Sequence, residues 1–138
     1  MTEFEAKARE YFLEKDNNCA ESTLRIANDL YGFGLDGEAI RLVSAFGGGM
    51  GCGKTCGALC GAMAAIGEKT VTDRAHTTEN FKEICSGFVE RFQKEFGSCD
   101  CAEVKPAFFV EGERCVNVVS RTAKLLDEYL KEFEDKKA

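Results

Sequence analysis

The chain has 138 residues, of which 44% are hydrophobic and 30% are charged, which is typical of one folded globular domain and not of a disordered segment. Its formal net charge is −6 and its Lys and Arg residues form no basic stripe, so we expect no nucleic acid as a partner. No apolar run approaches the roughly 20 residues that span a bilayer, and we expect a single domain over residues 1–138 without membrane insertion.

Apolar residues at helical spacing predict six helices, whereas no run of alternating β-branched residues predicts a strand. The predicted helices cover residues 2–15, 18–31, 37–46, 53–66, 79–96 and 112–133. Asn18 and Glu21 match a capping box at the start of the second helix. The segment 98–111, which contains the only proline, is predicted to be a connection with at most one short turn.

We therefore expect an all-α fold, a compact bundle of five or six helices. Its core is predicted from the apolar positions of these helices. The expected core residues are Phe12, Leu24, Leu30, Leu42, Phe46, Phe81, Phe88, Phe92, Val119, Leu126 and Tyr129.

The chain has eight cysteines, at positions 19, 52, 56, 60, 85, 99, 101 and 115. Residues 1–5 show neither the basic nor the apolar region of a secretory signal, so we expect a cytoplasmic protein. In a reducing compartment, many thiols more often indicate metal binding or catalysis than structural bridges. The alternative is that free cysteine packs as a small hydrophobic residue, which is our interpretation of Cys85.

Between residues 46 and 67, cysteines recur at positions 52, 56 and 60, and glycines recur at positions 53, 57 and 61. On a helix, steps of four residues place each set on one ridge. Because each helical Gly costs about 0.8–1 kcal/mol relative to Ala, the three glycines indicate that a backbone or a bound group packs closely against them. Disulfides along the cysteine ridge are disfavoured, since Cβ atoms four residues apart are about 5–6 Å apart and a disulfide needs about 3.5–4.5 Å.

Cys56 is a candidate reactive thiol on local grounds. A helix N-terminus stabilises a thiolate, and Cys56 is predicted to lie in the first turns of the fourth helix with Lys54 nearby. A Cys–His dyad is disfavoured, because the single histidine, His76, lies in a polar loop where we expect it to be solvated.

Residues 48–55 also satisfy the G-x-x-x-x-G-K-[ST] pattern of a phosphate-binding P-loop. That motif follows a buried strand, whereas the preceding segment here is predicted to be helical. P-loop-like nucleotide binding is therefore a remote alternative, and we treat the match as coincidental.

Three stretches of the chain and two later cysteines resemble the pattern of a known family. The stretches are Asn18–Glu21, Phe46–Gly51 and Cys56-Gly57-Ala58-Leu59-Cys60-Gly61, and the cysteines are those at 101 and 115. In order and spacing, roughly residues 17–125 resemble the C_GCAxxG_C_C family of redox-active bacterial and archaeal proteins. The resemblance implies a helical domain with a thiol redox or metal-related function. It also implies that the functional cysteines are Cys19, Cys56, Cys101 and Cys115.

Cys99 competes with Cys101 for the third place in the family pattern. We prefer Cys101 because Cys-Ala-Glu-Val better matches the family's Cys-x-x-apolar arrangement. Cys52, Cys60 and Cys85 are additions to the four-cysteine pattern.

Three functions remain open at this point. The first is thiol–disulfide chemistry, with Cys56 as attacking thiolate and Cys19, Cys101 or Cys115 as resolving partner, in an oxidoreductase or an electron-transfer accessory protein that serves a redox partner protein. The second is a Zn or Fe–S centre held by the same four cysteines and extended by Cys52, Cys60 or Cys99. The third is an interaction protein whose cysteines only pack.

Overall fold

The computed structural model describes residues 1–137, with side chains described through residue 134. It confirms the all-α class. The described chain contains α-helices, short 3₁₀ and π segments and two isolated β-bridges, and it has no β-strand. The α-helices are α1 Glu3–Ala8, α2 Cys19–Tyr31, α3 Gly37–Arg41, α4 Gly57–Thr70, α5 Phe81–Phe96, α6 Cys101–Phe108 and α7 Val116–Lys137. Over the described residues, no helix is both long enough and apolar enough to cross a membrane.

The start of α2 is held by the expected capping box. The side-chain oxygen of Asn18 accepts a hydrogen bond of 3.0 Å from the Glu21 amide, and Glu21 Oε1 accepts one of 2.9 Å from the Asn18 amide. Asn18 Nδ2 also donates to the carbonyl of Ser44 at 2.8 Å. These bonds define where the helix begins, and so where the side chain of Cys19, its first residue, projects.

The expectation of five or six helices is corrected to seven in the described chain, because α6 occupies most of the segment predicted as a connection. Pro106 lies inside this helix, where it removes one main-chain donor without ending the helix. The burial of one side chain and one backbone hydrogen bond hold the helix in place despite this loss. Val104 is only 2% exposed, and the amide of Cys101 donates to the carbonyl of Lys54 at 2.6 Å.

Helices α4 and α7 each begin four residues later than predicted, at Gly57 and Val116. The reason in both cases is a left-handed backbone conformation just before the helix, with φ of 76° at Gly53 and 55° at Arg114. A right-handed helix cannot include residues in that conformation.

The core forms two groups of buried side chains, and α7 contributes to both. Phe88 and Phe92 of α5 are fully buried, as predicted. The prediction that Leu42 belongs to the core is wrong, since it is 80% exposed. Helix α3 ends one residue before it, and Ile40 and Val43 are buried instead. Three other expected core residues, Leu30, Phe46 and Phe81, are only partly buried.

Helices α2 and α4 form the most closely associated pair. The expectation that glycines permit a close backbone approach is confirmed here. A Cβ atom on Gly57 would overlap Sγ of Cys19, and one on Gly61 would overlap the carbonyl oxygen of Ala20. Glycine is therefore required on this face of α4 so that α2 can lie against it.

Candidate functional site

Four cysteines stand at the starts of four different helices. Cys19 is the first residue of α2 and Cys101 the first of α6, while Cys56 directly precedes α4 and Cys115 directly precedes α7. The first turn of a helix carries main-chain N–H groups without helical partners and the positive end of the helix dipole. At Cys56, the amides of Ala58 and Leu59 act in this way and oppose a rise in the pKa of the thiol.

These four cysteines line one cavity of about 210 Å³. They are the four that the resemblance singled out. Cys19 and Cys115 also pack against both groups of core side chains, so the cavity lies where the two groups meet. The remaining lining residues are Phe12, Asn18, Gly48, Val104, Lys105, Phe109, Arg114 and Val118.

Main-chain pairing holds two of the cysteines in place. The amide of Cys56 donates to the carbonyl of Cys99 at 2.7 Å, and the amide of Cys101 donates to the carbonyl of Lys54 at 2.6 Å. Between these two bonds, Thr55 and Asp100 form an antiparallel bridge. The start of α4 and the start of α6 are thereby tied together through the backbone.

The loop before Cys56 brings its backbone close to Cys101. Gly49 has φ of 64°, and a Cβ atom there would lie 2.7 Å from Cβ of Cys101. Met50 has φ of 61°, a conformation that a non-glycine residue rarely adopts. The glycine-rich loop therefore closes one side of the cysteine group instead of extending α4 towards its N-terminus.

The burial of Cys56 outweighs its position at a helix start. The side chain is 5% exposed, and this burial raises the pKa of its thiol from 9.0 to about 12. The amides of Ala58 and Leu59 oppose the rise, while the nearby Cys19 and Cys101 add to it. The raised pKa of Cys56 runs against the expectation of an activated thiolate at this position.

Cys101 and Cys115 lie in a more mixed electrostatic environment. Burial raises the pKa of both thiols, and charge on Cys19 raises them further. Lys105 opposes the rise at both sulfurs, and Arg114 also opposes it at Cys115. Two cations therefore act on Cys115, and one acts on Cys101.

Cys19 interacts electrostatically with each of the other three lining cysteines. Its charge contributes to raising the pKa of Cys56, Cys101 and Cys115, and also that of Cys60. Cys19 is therefore close to each of the other three lining thiols, which is the property that a shared dithiol site requires.

The other four cysteines do not line the cavity. Cys52 is exposed in the glycine-rich loop and its thiol donates to the carbonyl of Gly49 at 3.6 Å. Cys99 directs its thiol towards a carbonyl of α5 at 3.9 Å, and Cys60 lies one helical turn beyond the site. Cys85 packs against the core, as expected.

The side chains described through residue 134 give the metal alternative no support. Within residues 1–134, no group of three or more His, Cys, Asp or Glu side chains is arranged so that it could hold a metal ion. A structural zinc site needs four converging ligands, and an Fe–S cluster needs a comparable set of thiolates.

The P-loop alternative does not fit the structure. The segment 48–55 follows a 3₁₀ turn, Ser44–Phe46, and not a strand. The amide of Lys54 is bonded to the carbonyl of Gly49 at 2.9 Å, so it is not directed at a phosphate. The match to the nucleotide-binding pattern is coincidental.

Two cationic residues of the site were missed by the sequence analysis. Lys105 lies four residues after Cys101, on the same face of α6, and would have been recognised had that helix been predicted. Arg114 directly precedes Cys115. Its guanidinium lies over the ring of Phe12 at 4.4 Å and donates to the Phe12 carbonyl at 2.8 Å.

No curated protein and no solved structure matches the chain. A family match does exist, and it covers residues 17–129, from just before the capping box of α2 to well inside α7. The matched region includes all four cavity-lining cysteines and the motif Cys56-Gly57-Ala58-Leu59-Cys60-Gly61. The chain belongs to the family described as "Putative redox-active protein (C_GCAxxG_C_C)".

Proposed function

We propose that this protein carries two electrons as a reversible disulfide formed among Cys19, Cys56, Cys101 and Cys115. The observation that carries the proposal is their convergence on one cavity from the starts of four helices. Membership of a redox-active family supports it. An interaction protein whose cysteines only pack would not require these four to share a cavity.

The order of events follows from accessibility. Cys56 is almost fully buried and its pKa is raised. These properties suit a thiol that takes part in disulfide exchange after the first attack, and they do not suit the thiol that attacks the substrate first. Cys115 is only partly buried. Burial raises the pKa of its thiol, but Lys105 and Arg114 oppose that rise, so its thiolate is better supported than that of Cys56. We assign the first attack to Cys115, in place of Cys56.

The reaction balances as two exchanges. The Cys115 thiolate attacks one sulfur of a substrate disulfide, which forms a mixed disulfide and releases the first substrate thiolate. A second protein thiolate then attacks Cys115 Sγ, which forms the internal disulfide and releases the second substrate thiolate. The protein dithiol loses two electrons and two protons, and the substrate disulfide becomes two thiols. Cys19 and Cys101 are the candidate second thiols, since charge on each affects the pKa of Cys115.

The test is to add a small disulfide oxidant to the fully reduced protein and to follow intact mass, thiol count and bridge position by non-reducing peptide mapping. We expect the loss of two thiols and a bridge that joins Cys115 to Cys19 or Cys101. The variant Cys115→Ser should lose this bridge. The control Cys85→Ser should retain it, because Cys85 lies outside the cavity.

An unchanged thiol count, or bridges confined to Cys52, Cys60, Cys85 and Cys99, would contradict the proposal. The same preparation, purified anaerobically, should be analysed for metal. Stoichiometric zinc or iron that is lost in Cys115→Ser would replace the dithiol function with the metal alternative.

A further inference from the structure

The cysteine cavity has a chemical character beyond its thiols. Lys105 and Arg114 line it, whereas none of its described lining residues is Asp or Glu, although the chain has a net charge of −6. Acidic residues outnumber basic ones in the chain, 24 to 18, so a cavity whose charged lining residues are both cations contrasts with the average surface. Such a local excess of one charge attracts ligands of the opposite sign.

Lys105 is the more available of the two cations. It is exposed, it makes no ion pair with the side chains described through residue 134, and its ammonium lies 5.6 Å from the ring centre of Phe109. Arg114 is partly engaged, because Asp16 lies 3.6 Å from its guanidinium. The Asp16 side chain is 85% exposed, so water already solvates that carboxylate and a ligand can replace it at modest cost.

The rest of the lining sets the size and the polarity of the occupant. Four apolar side chains, Phe12, Val104, Phe109 and Val118, line the cavity together with the thiols. Its volume of about 210 Å³ is below the roughly 300–1,000 Å³ of pockets for drug-sized ligands. The cavity therefore suits a short aliphatic chain that carries a negatively charged group, which Lys105 and Arg114 would bind.

We propose that the substrate is a small aliphatic disulfide that carries carboxylate groups, with a carboxylate bound by Lys105 and Arg114 and a sulfur placed against Cys115. The inference rests on the proposed dithiol function and adds the substrate class to it. The electron balance is the one given above: the anionic disulfide takes two electrons and two protons and leaves as two anionic thiols. Binding through the carboxylate raises the local concentration of the disulfide at Cys115.

The experiment uses three symmetric disulfides of similar size and different charge: 3,3′-dithiodipropionate, bis(2-hydroxyethyl) disulfide and cystamine. The second-order rate constant for oxidation of the reduced full-length chain is measured with each. Charge also changes the leaving-group pKa and so the intrinsic reactivity of a disulfide. The readout is therefore the ratio of the dianion rate to the dication rate, compared between wild type and variants.

We expect Lys105→Gln to lower this ratio by about threefold, and the double variant Lys105→Gln/Arg114→Gln to lower it by about tenfold. The ratio should also fall as ionic strength rises, because salt screens exposed charges. The matched control is Lys124→Gln/Arg41→Gln, which removes two exposed cations that do not line the cavity and should leave the ratio unchanged. Since Arg114 also contacts Phe12, the single variant Lys105→Gln decides the test if the double variant does not fold.

The possible failures are distinguishable. Oxidation by all three disulfides with a ratio that Lys105→Gln does not change would overturn the substrate class and leave the dithiol function standing. A chain that none of the three disulfides oxidises would overturn the proposed function and this inference with it.

Discussion

The α-carbon of Gly57 lies against the sulfur of Cys19, so closely that a Cβ atom on residue 57 would overlap Sγ. Residue 57 follows Cys56 directly, so this contact joins the start of α4 to the start of α2 at the cysteine group itself. The glycine of the family motif is therefore part of the architecture of the thiol site.

A series of Gly→Ala variants in α4 should give graded stabilities. Gly61→Ala should destabilise the protein by about 1–3 kcal/mol, because the new Cβ meets the main-chain carbonyl of Ala20, which cannot rotate away. Gly57→Ala should cost less, since the sulfur of Cys19 can turn aside and the nearest backbone atom, the carbonyl oxygen of Phe46, would lie 3.0 Å from the new Cβ atom. Urea denaturation of the reduced proteins measures each free energy of unfolding.

The internal control for that series is Gly67→Ala in the same helix. A Cβ atom on Gly67 meets nothing within 4 Å, and its φ is not in the left-handed region. We expect this variant to be stabilised by about 0.4–1 kcal/mol. If all three variants gave the same stability, the close packing of α2 on α4 would be contradicted.

Alkylation should rank the thiols by accessibility. We expect iodoacetamide at neutral pH to modify the exposed Cys52 first and Cys56 last, with Cys85 between them. Cys56 is slow because it is 5% exposed and burial raises its pKa to about 12. Peptide mass mapping over time gives the rates, and faster labelling of Cys56 than of Cys85 would restore the expectation drawn from its helix position alone.

Stability should fall in alkaline solution partly because of Cys56. Its pKa is raised from 9.0 to about 12 in the folded chain, so above pH 9 the unfolded chain loses the thiol proton first and unfolding is favoured. We expect deprotonation of Cys56 to lower the free energy of unfolding by about 2–3 kcal/mol between pH 8 and pH 11. Cys56→Ser should show a correspondingly shallower loss over the same range.

Other titrating groups affect the pH dependence of wild type and of Cys56→Ser in the same way. Desolvation and Asp29 raise the pKa of Tyr11 to about 12, which also lowers stability at high pH, but equally in both proteins. Identical pH profiles for wild type and Cys56→Ser would show that Cys56 is more accessible to solvent than the structure indicates.

A further prediction concerns the stability that buried core side chains contribute. Phe88 is fully buried and its ring lies 5.5 Å from that of Tyr129, so Phe88→Ala should cost about 3–5 kcal/mol. Leu42→Ala is the control, since Leu42 is 80% exposed and its truncation should change stability by less than about 0.5 kcal/mol. Thermal or urea unfolding distinguishes the two, and a loss below 1 kcal/mol for Phe88→Ala would contradict its burial.

Local patterns predicted much of the fold. The Asn18–Glu21 box, the long periodic helices and the close approach at Gly57 and Gly61 each depend on neighbours in the chain or on one helix face. Helix α6 was missed because Pro106 indicated a break, whereas tertiary contacts at Val104 and Cys101 hold the helix through it.

The site was harder to predict because it is built from distant parts of the chain. Spacing alone could not show that Cys19 and Cys115 meet, and the family resemblance selected the four lining cysteines. Local position also misled: Cys56 precedes a helix, but its burial, which depends on the whole fold, determines its pKa. Arg114 became relevant only once its place at the cavity was known.

The backbone bonds between Cys56 and Cys99 and between Lys54 and Cys101 do not involve any side-chain atom. Replacing a sulfur by oxygen at position 56 or 101 therefore leaves the chain path that positions it unchanged. The role of the sulfur and the role of the backbone can therefore be tested separately at these two cysteines. On the proposed function, a serine variant that loses thiol–disulfide exchange while it keeps its fold reports on the sulfur alone.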